Sequence, residues 1–284
     1  MDRIEHERIS PTAWVVARLR TFTDIPYSQE VFEALQAIVR TTQSAAEIEK
    51  LEGMIEPETA VFMEARVKLV NRLIKESGVK QMLELAAGFS PRGMDLTKDP
   101  SIAYAEMDLP GVMDEKRQII EALVSQGKLP ARPNLHCYDG NALNAEDISE
   151  ATTAFKKEPV AIVNEGLLTY LDFDEKAKVA KNVHSLLEVF GGVWITPDLS
   201  LWSGGKAQTV NRKIESVTKI DKQKISFQDE AAARRFFEEL GFSVESHSFR
   251  EVLDELSSPA GLGLSRERAI EILGARAVFV TRVR

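Results

Sequence analysis

From Gln81 onward the chain repeats one unit: a short apolar run, a loop of small or polar residues, and a stretch with helical spacing. The apolar runs fall at 81–85, 102–107, 134–138, 160–164, 193–197, 242–247 and 276–283. Helix-spaced stretches lie among them at 111–125, 146–157, 174–190, 229–240 and 265–273. Strands joined through helices pair in parallel, because each crossover returns the chain to the same end of the sheet, and helices then cover both faces. The rhythm predicts an α/β fold with a mainly parallel sheet. Two stretches break it: residues 198–226 are long and polar, and SSPAGLGLSRER separates the last two runs. No internal repeat, heptad series or low-complexity tract is present.

Ahead of this unit, residues 1–80 read as helix after helix, a cap belonging to the same domain as 81–284. The first helix spans 9–22, with Trp14, Val15, Val16 and Leu19, and Thr23-Asp24-Ile25-Pro26 interrupts it. The residue before a proline is pushed out of the helical region. Ser28 is placed to cap SQEVFEALQAIVR, whose Val31, Phe32, Leu35, Ile38 and Val39 recur at helical spacing. A polar stretch, TTQSAAEIEK, follows. Pro57 then opens a long helix carrying Val61, Phe62, Ala65, Leu69 and Leu73, stopped by Gly78.

Composition removes several function classes. The 284 residues carry 36 basic and 44 acidic side chains, a net charge of −8. With a pI near 5.3, the chain lacks the basic surface that phosphate neutralisation demands, so nucleic acid is not expected as a partner. The single cysteine, Cys137, excludes an internal disulfide framework and a cysteine-based zinc site, and no metal site is expected. No run approaches the roughly 18 apolar residues of a membrane span, and residues 1–10 are charged where a signal peptide is apolar. A cytoplasmic protein without membrane association is the expectation.

Ligands of parallel α/β sheets bind at the carboxyl ends of the strands, where the strand order reverses. The first strand ends MLELAAGFSPRG, a small-residue turn over which backbone amides can approach a ligand. Its spacing is not the dinucleotide fingerprint: Ala86 and Gly88 are followed next by Gly93. The second strand ends in Glu106 and Asp108, the latter twenty residues after Gly88. A carboxylate there accepts hydrogen bonds from ribose hydroxyls, and it can equally begin the following helix. The third strand ends Asp139-Gly140-Asn141, suited to the exocyclic amine of an adenine and also to an ordinary turn. The fourth ends Asn164-Glu165, and a carboxylate leaving an apolar strand needs a partner or solvent. Four successive strand ends carry suitable groups, which weighs more than any one match.

Taken together, ELAAGFSPRG, AEMDLPGVMDEKRQII, YDGNAL and NEGLLTYLD resemble the leucine carboxyl methyltransferase family, including its bacterial relatives linked to polyketide O-methylation. The opening ISPTAWVVARLRTFTDIPYS is similar too, so the resemblance covers residues 9–200. It implies a class I S-adenosylmethionine-dependent methyltransferase: a Rossmann-like, seven-stranded, mainly parallel sheet with helices on both faces and a helical N-terminal cap. By this resemblance Arg66 pairs with the methionine carboxylate of the cofactor, and Gly88 with its neighbours Glu84 and Ala86 packs under the methionine portion. Asp108, beside Leu109, holds the ribose hydroxyls; Asp139, Gly140 and Asn141 edge the adenine; Glu165 engages the amino group. Read without the family, Arg66 is a helix arginine that is solvated or paired with Glu64 or Glu58. The chain departs from the family pattern at Ala86, where a glycine is usual, and at Ser90-Pro91, while Arg92 is kept.

For the methyl acceptor, Arg18 and Arg20 could hold a carboxylate or form a solvated face, and Tyr170 lies close to Glu165 in sequence. Trp202, in Trp202-Ser203-Gly204-Gly205, could belong to a hinged lid or a plain loop within the insertion near 198–226. None of His6, His136, His184 and His247 sits in an evident base position, which favours an acceptor that is already ionised. The expected function is O-methylation of a small molecule or carboxyl group. The alternatives are a nicotinamide-dependent oxidoreductase and a non-catalytic cofactor binder. The glycine spacing speaks against the oxidoreductase, as does Asp174, rather than a lysine, one turn after Tyr170.

Overall fold

A computed structural model of the chain describes residues 11–199, 201 and 222–284. Seven strands form one sheet in the order β3-β2-β1-β4-β5-β7-β6. They are β1 (Gln81–Leu85), β2 (Ala103–Asp108), β3 (Leu135–Asp139), β4 (Val160–Asn164), β5 (Gly192–Thr196), β6 (Phe242–Ser248) and β7 (Ala277–Val283). Strands β1 to β5 run parallel, and β7 is antiparallel to both β5 and β6. Every strand expected from the sequence is present, each boundary within one residue. The chain builds outward from β1 through β2 to β3, then returns to place β4 on the other side of β1. The reversal opens a crevice at the carboxyl ends of β1 and β4.

The helices are α1 (Pro11–Arg20), α2 (Ser28–Thr42), α3 (Ala45–Glu52), α4 (Thr59–Ser77), α5 (Arg92–Leu96) and α6 (Pro110–Ser125). They continue as α7 (Ala145–Ala151), α8 (Phe173–Phe190), α9 (Lys222–Ile225), α10 (Glu230–Glu239), α11 (Ser258–Gly261) and α12 (Arg266–Leu273). Alternation along the strands divides the core. Leu83 and Leu85 of β1 face α7, α8 and α10, in a cluster with Ile148, Val183 and Phe237. Met82, on the opposite face, packs with Val61, Leu69 and Leu73 of α4 and with Leu273 of α12. A third cluster joins the N-terminal helices to the sheet: Trp14, Val31, Leu35 and Leu51 pack with Phe89, Val112 and Ile119. Gly192 is required where β5 starts, since its φ is +107° and a Cβ would meet the Val160 carbonyl at 2.0 Å. No helix among the described residues is long and apolar enough to cross a membrane.

Three local expectations need correction. Ser28 does not cap α2: the cap is Tyr27 at φ 63°, and the Ser28 hydroxyl is buried without a hydrogen-bond partner. The chain enters the helix through Tyr27's left-handed backbone, whose carbonyl accepts from Val31 N–H at 2.9 Å. The polar TTQSAAEIEK stretch contains α3, set by a capping box in which Ser44 and Glu47 satisfy each other's backbone N–H. The helix expected at 146–157 stops at Ala151. Gln81 takes over the backbone beyond it, accepting from Lys156 N–H at 2.6 Å and donating to the carbonyls of Lys156 and Glu158 at 3.1 Å each.

Candidate functional site

The loop after β1 turns twice through left-handed backbone, at Ala86 (φ 52°) and Gly88 (φ 50°). A side chain in that region costs about 1–2 kcal/mol, so Ala86 carries strain that the usual glycine would not. A Cβ added at Gly88 would meet nothing within 4 Å, which leaves open space beside the loop at the crevice. Asp108 pins the loop: one carboxylate oxygen accepts Gly88 N–H at 2.7 Å and the other accepts Leu109 N–H at 2.8 Å. Burial pushes the Asp108 carboxyl above its ordinary range, and those two N–H groups pull against the shift. Leu109 caps α6, whose first-turn proline needs no N–H partner.

Lys116 of α6 reaches back to the same loop, donating to the carbonyls of Gly88 (3.4 Å) and Ser90 and pairing with Glu106 at 3.0 Å. Both charged groups of that pair are fully buried. Next to it, Gly140 N–H donates to the Asp108 carbonyl at 2.8 Å, bringing the ends of β2 and β3 together. A Cβ at Gly140 would meet Met107 Sδ at 2.7 Å. The Asp139 carboxylate is exposed and pairs with Arg117 at 2.5 Å. Asn141 shapes its own turn: its side-chain Oδ1 accepts Leu143 N–H at 2.9 Å, and its backbone N–H donates to Asp147 at 2.8 Å.

At the ends of β1 and β4 four charged side chains interlock. Arg92, 2% exposed, donates to Glu84 and to Glu165 through its two terminal nitrogens and to Asn71 Oδ1 at 2.6 Å through Nε. Glu84 also accepts the Tyr104 hydroxyl at 2.8 Å. Glu165 is shared, since Arg66 Nε pairs with it at 2.9 Å. Burial lowers the Arg66 pKa, whereas for Arg92 the nearby Glu84 and Tyr104 outweigh burial and raise it. The helix neighbours Glu64 and Glu58 are engaged elsewhere, with Lys68 at 2.7 Å and Arg268 at 2.5 Å. Arg66, Glu84 and Glu165 are thus brought together, and Arg92 is the member that joins them.

Two more residues complete the arrangement. Asp198, after β5, accepts the backbone N–H groups of Gly166, Leu167 and Leu168 at 2.8, 2.7 and 3.1 Å, and the Asn164 amide at 2.6 Å. This fixes the turn that presents Glu165. The same reasoning applied to the first four strand ends would have found it, because Thr196-Pro197-Asp198 is a carboxylate leaving an apolar strand. Tyr170 follows that turn, its hydroxyl bonded to Thr12 of α1 and its pKa raised by burial.

Of the arginines on α1, Arg18 faces outward. It donates to Thr21 at 2.6 Å and lies over the Phe22 ring at 4.8 Å. Arg20 points inward and is 6% exposed, donating to the Phe89 carbonyl at 3.3 Å. Trp14 is core, in edge contact with Phe32. Trp202 lies outside the described residues. The described histidines stand away from the cluster: His136 lines an open groove of about 420 Å³ beside β3, His184 lies against Glu188 at 3.5 Å, and His247 against Glu245 at 3.3 Å.

With this geometry in place, a family model described as leucine carboxyl methyltransferase matches residues 20–184. No curated protein matches the chain. Among solved structures, a Thermobifida fusca YX protein, provisionally described as a methyltransferase, superposes with a TM-score of 0.55 at 14% identity, covering 94% of each chain. A Nostoc punctiforme protein provisionally described as an O-methyltransferase gives 0.50 at 14% identity, covering 94% of this chain and 71% of that one. An O-methyltransferase family protein from Burkholderia thailandensis gives 0.45 at 14% identity, with 80% of this chain covered. This chain spans only 59% of that protein's length.

Proposed function

The chain belongs to the leucine carboxyl methyltransferase family, and on that footing we propose that it transfers a methyl group from S-adenosylmethionine to an oxygen of a small-molecule or carboxyl-bearing acceptor. The observation that carries this reading is the convergence at four adjacent strand ends. There stand Gly88, with nothing within 4 Å of where a Cβ would go, the Asp108 carboxylate that holds its N–H, Asp139-Gly140, and the Glu165 cluster. These groups fit the donor piece by piece. Asp108 receives the ribose hydroxyls, Asp139 and Gly140 border the adenine, and Glu165 takes the ammonium. Gly88 lets the methionine portion approach the backbone. Arg66, whose Nε pairs with Glu165, receives the methionine carboxylate.

The donor supplies a methyl already activated on a sulfonium, which leaves as a neutral thioether when the acceptor oxygen forms the new bond. The protein's work is alignment and exclusion of water. Asp108 and Lys116 fix the loop, Asp198 fixes the Glu165 turn, and α1 covers both through Arg20 and Thr12. A carboxylate acceptor is ionised at neutral pH and loses no proton during transfer, whereas a phenol does. At the ends of β1 and β4 the arginines and glutamates Arg66, Arg92, Glu84 and Glu165 pair with one another, and the described histidines lie elsewhere. This favours the carboxylate.

Thermal unfolding with S-adenosylhomocysteine and with NAD(H), followed by labelled-methyl transfer to carboxylic acids and phenols, tests the reading. A shift with S-adenosylhomocysteine alone, lost in Asp108→Ala, and a base-labile labelled ester are expected. A shift with NAD(H) alone would favour the oxidoreductase. Binding of S-adenosylhomocysteine with no transfer to any acceptor would favour a non-catalytic binder.

A further inference from the structure

Strand β3 closes one edge of the sheet, and among the described residues no strand pairs with its outer side. Two bonds settle which backbone groups face inward. The Asn134 carbonyl accepts Tyr104 N–H at 2.9 Å, and Gly140 N–H donates to the Asp108 carbonyl at 2.8 Å. Backbone groups alternate in direction along a strand, so the even-numbered residues face β2 while Leu135, Cys137 and Asp139 turn their N–H and C=O groups outward. There the Cys137 carbonyl meets Arg117 at 3.4 Å, and Leu135 N–H donates to the Arg132 carbonyl at 3.1 Å. The open groove of about 420 Å³ runs along this edge, with Arg117, Ile120 and Glu121 of α6 on its far side. Neither lysine nor proline interrupts β3, and an edge without such guards is a template for another strand.

The charges along the groove select the strand that fits. Arg132, just ahead of β3, has its Nε buried without a hydrogen-bond partner, and its guanidinium reaches only the Tyr27 hydroxyl, at 3.5 Å. Asp139, at the other end, carries an exposed carboxylate of which Arg117 engages one oxygen. The edge is thus basic where β3 begins and acidic where it ends, and it complements itself when laid antiparallel. With Cys137 on a two-fold axis, the Cys137 N–H of each copy donates to the Cys137 carbonyl of the other, and Asp139 N–H donates to the Leu135 carbonyl across the axis. The same register sets His136 opposite Tyr138 and brings the Asp139 carboxylate beside the unsatisfied Arg132 of the second copy. Arg117 gives up only its long contact with the Cys137 carbonyl and keeps Asp114 and Asp139. We infer that β3 is a docking edge for a second copy of this chain, which joins two sheets into one across a two-fold axis. The pairing stands whether or not the crevice takes the methyl donor.

Sedimentation velocity over a concentration series tests it, with a charge exchange between two variants. Wild type is expected to dimerise. Arg132→Glu sets a carboxylate against Asp139 of the other copy, and Asp139→Lys sets an ammonium against Arg132. Each alone should raise the dimer dissociation constant by about 10- to 100-fold. Mixed in equal amounts, the two variants should recover dimerisation, because the mixed dimer carries an opposite-charge pair at both ends. Cys137→Pro removes an outward N–H at an edge position that tolerates proline, and it should remain folded while losing the dimer. Circular dichroism confirms the folding of each variant, and Cys137→Pro with Arg132→Glu carries the test if Asp139→Lys does not fold. A wild type that stays monomeric at every concentration would overturn the inference and leave the edge to an extended segment of another protein. Variants that dimerise as tightly as wild type, or a mixture no tighter than its parts, would overturn it equally.

Discussion

At the scale of single residues, the loop after β1 and the first turns of α6 concentrate the conformational and electrostatic costs. Gly88 sits at φ +50° with open space where a Cβ would go. Gly88→Ala therefore meets no clash in the free protein and incurs only the backbone penalty, about 1 kcal/mol in urea unfolding. On the proposed donor placement the added methyl would meet the ligand, so affinity for S-adenosylhomocysteine should fall at least about tenfold, more than the stability loss accounts for. Glu115 presents a different cost. One of its oxygens is buried without a partner, and burial, with Asp114 adding to it, lifts its pKa to about 7 from the ordinary 4.5. The folded state thus holds this proton more tightly than the unfolded chain does. The residue contributes nothing below the unfolded pKa, and stability falls as pH rises between the two values. Glu115→Gln should match wild type near pH 4.5 and be more stable at pH 8, by on the order of 1 kcal/mol for a half-solvated carboxyl. Equal urea midpoints at both pH values would contradict it.

At the scale of elements, two buried charges hold the site loops, and each predicts a distinct failure. Asp198 satisfies three successive backbone N–H groups after β4. Asp198→Ala strands them, at about 1–3 kcal/mol for each that water cannot reach, and frees the turn bearing Glu165. Loss of both stability and ligand binding is expected, with Asp198→Asn retaining part of each. Lys116→Met leaves Glu106 buried without its counter-ion and should cost about 3–5 kcal/mol, whereas Lys116→Met with Glu106→Gln should recover much of it. If the double variant is no more stable than the single one, the pair does not act as a unit. These contacts mark the limit of what the sequence disclosed. A strand buried on both faces leaves an apolar run, so β4 was readable to the residue, and in β1, buried likewise, Met82, Leu83 and Leu85 stand out around Gln81 and Glu84. The α3 helix was hidden because its face toward the core is narrow: Leu51 is its one buried residue. Asp108, Asp139 and Glu165 were legible as carboxylates because the first two end a strand and the third directly follows one. The Arg92–Glu165 pairing spans 73 positions and exists only once β1 and β4 are neighbours, so no local pattern announces it.

At the scale of the whole molecule, the N-terminal helices and the sheet share the site without sharing a sheet strand. The α1 helix is anchored by Trp14 and Leu19 in the core and by two polar contacts over the crevice, Arg20 to Phe89 and Thr12 to Tyr170. Both polar contacts end on loops that the donor would touch, the first after β1 and the second after β4. Donor binding should therefore stabilise cap and sheet as one body. At 100 times its dissociation constant, S-adenosylhomocysteine should add about 2.7 kcal/mol, which for a chain of this size raises Tm by roughly 4–5 °C. Amide hydrogen exchange resolves where that energy goes. If the cap is coupled, amides of α1 gain protection together with those of the loops after β1 and β4, and the gain in α1 is lost in Arg20→Gln while the loop after β1 keeps most of its own. A rise in Tm with protection confined to the strand-end loops would show instead that the cap closes over the crevice without sensing what fills it.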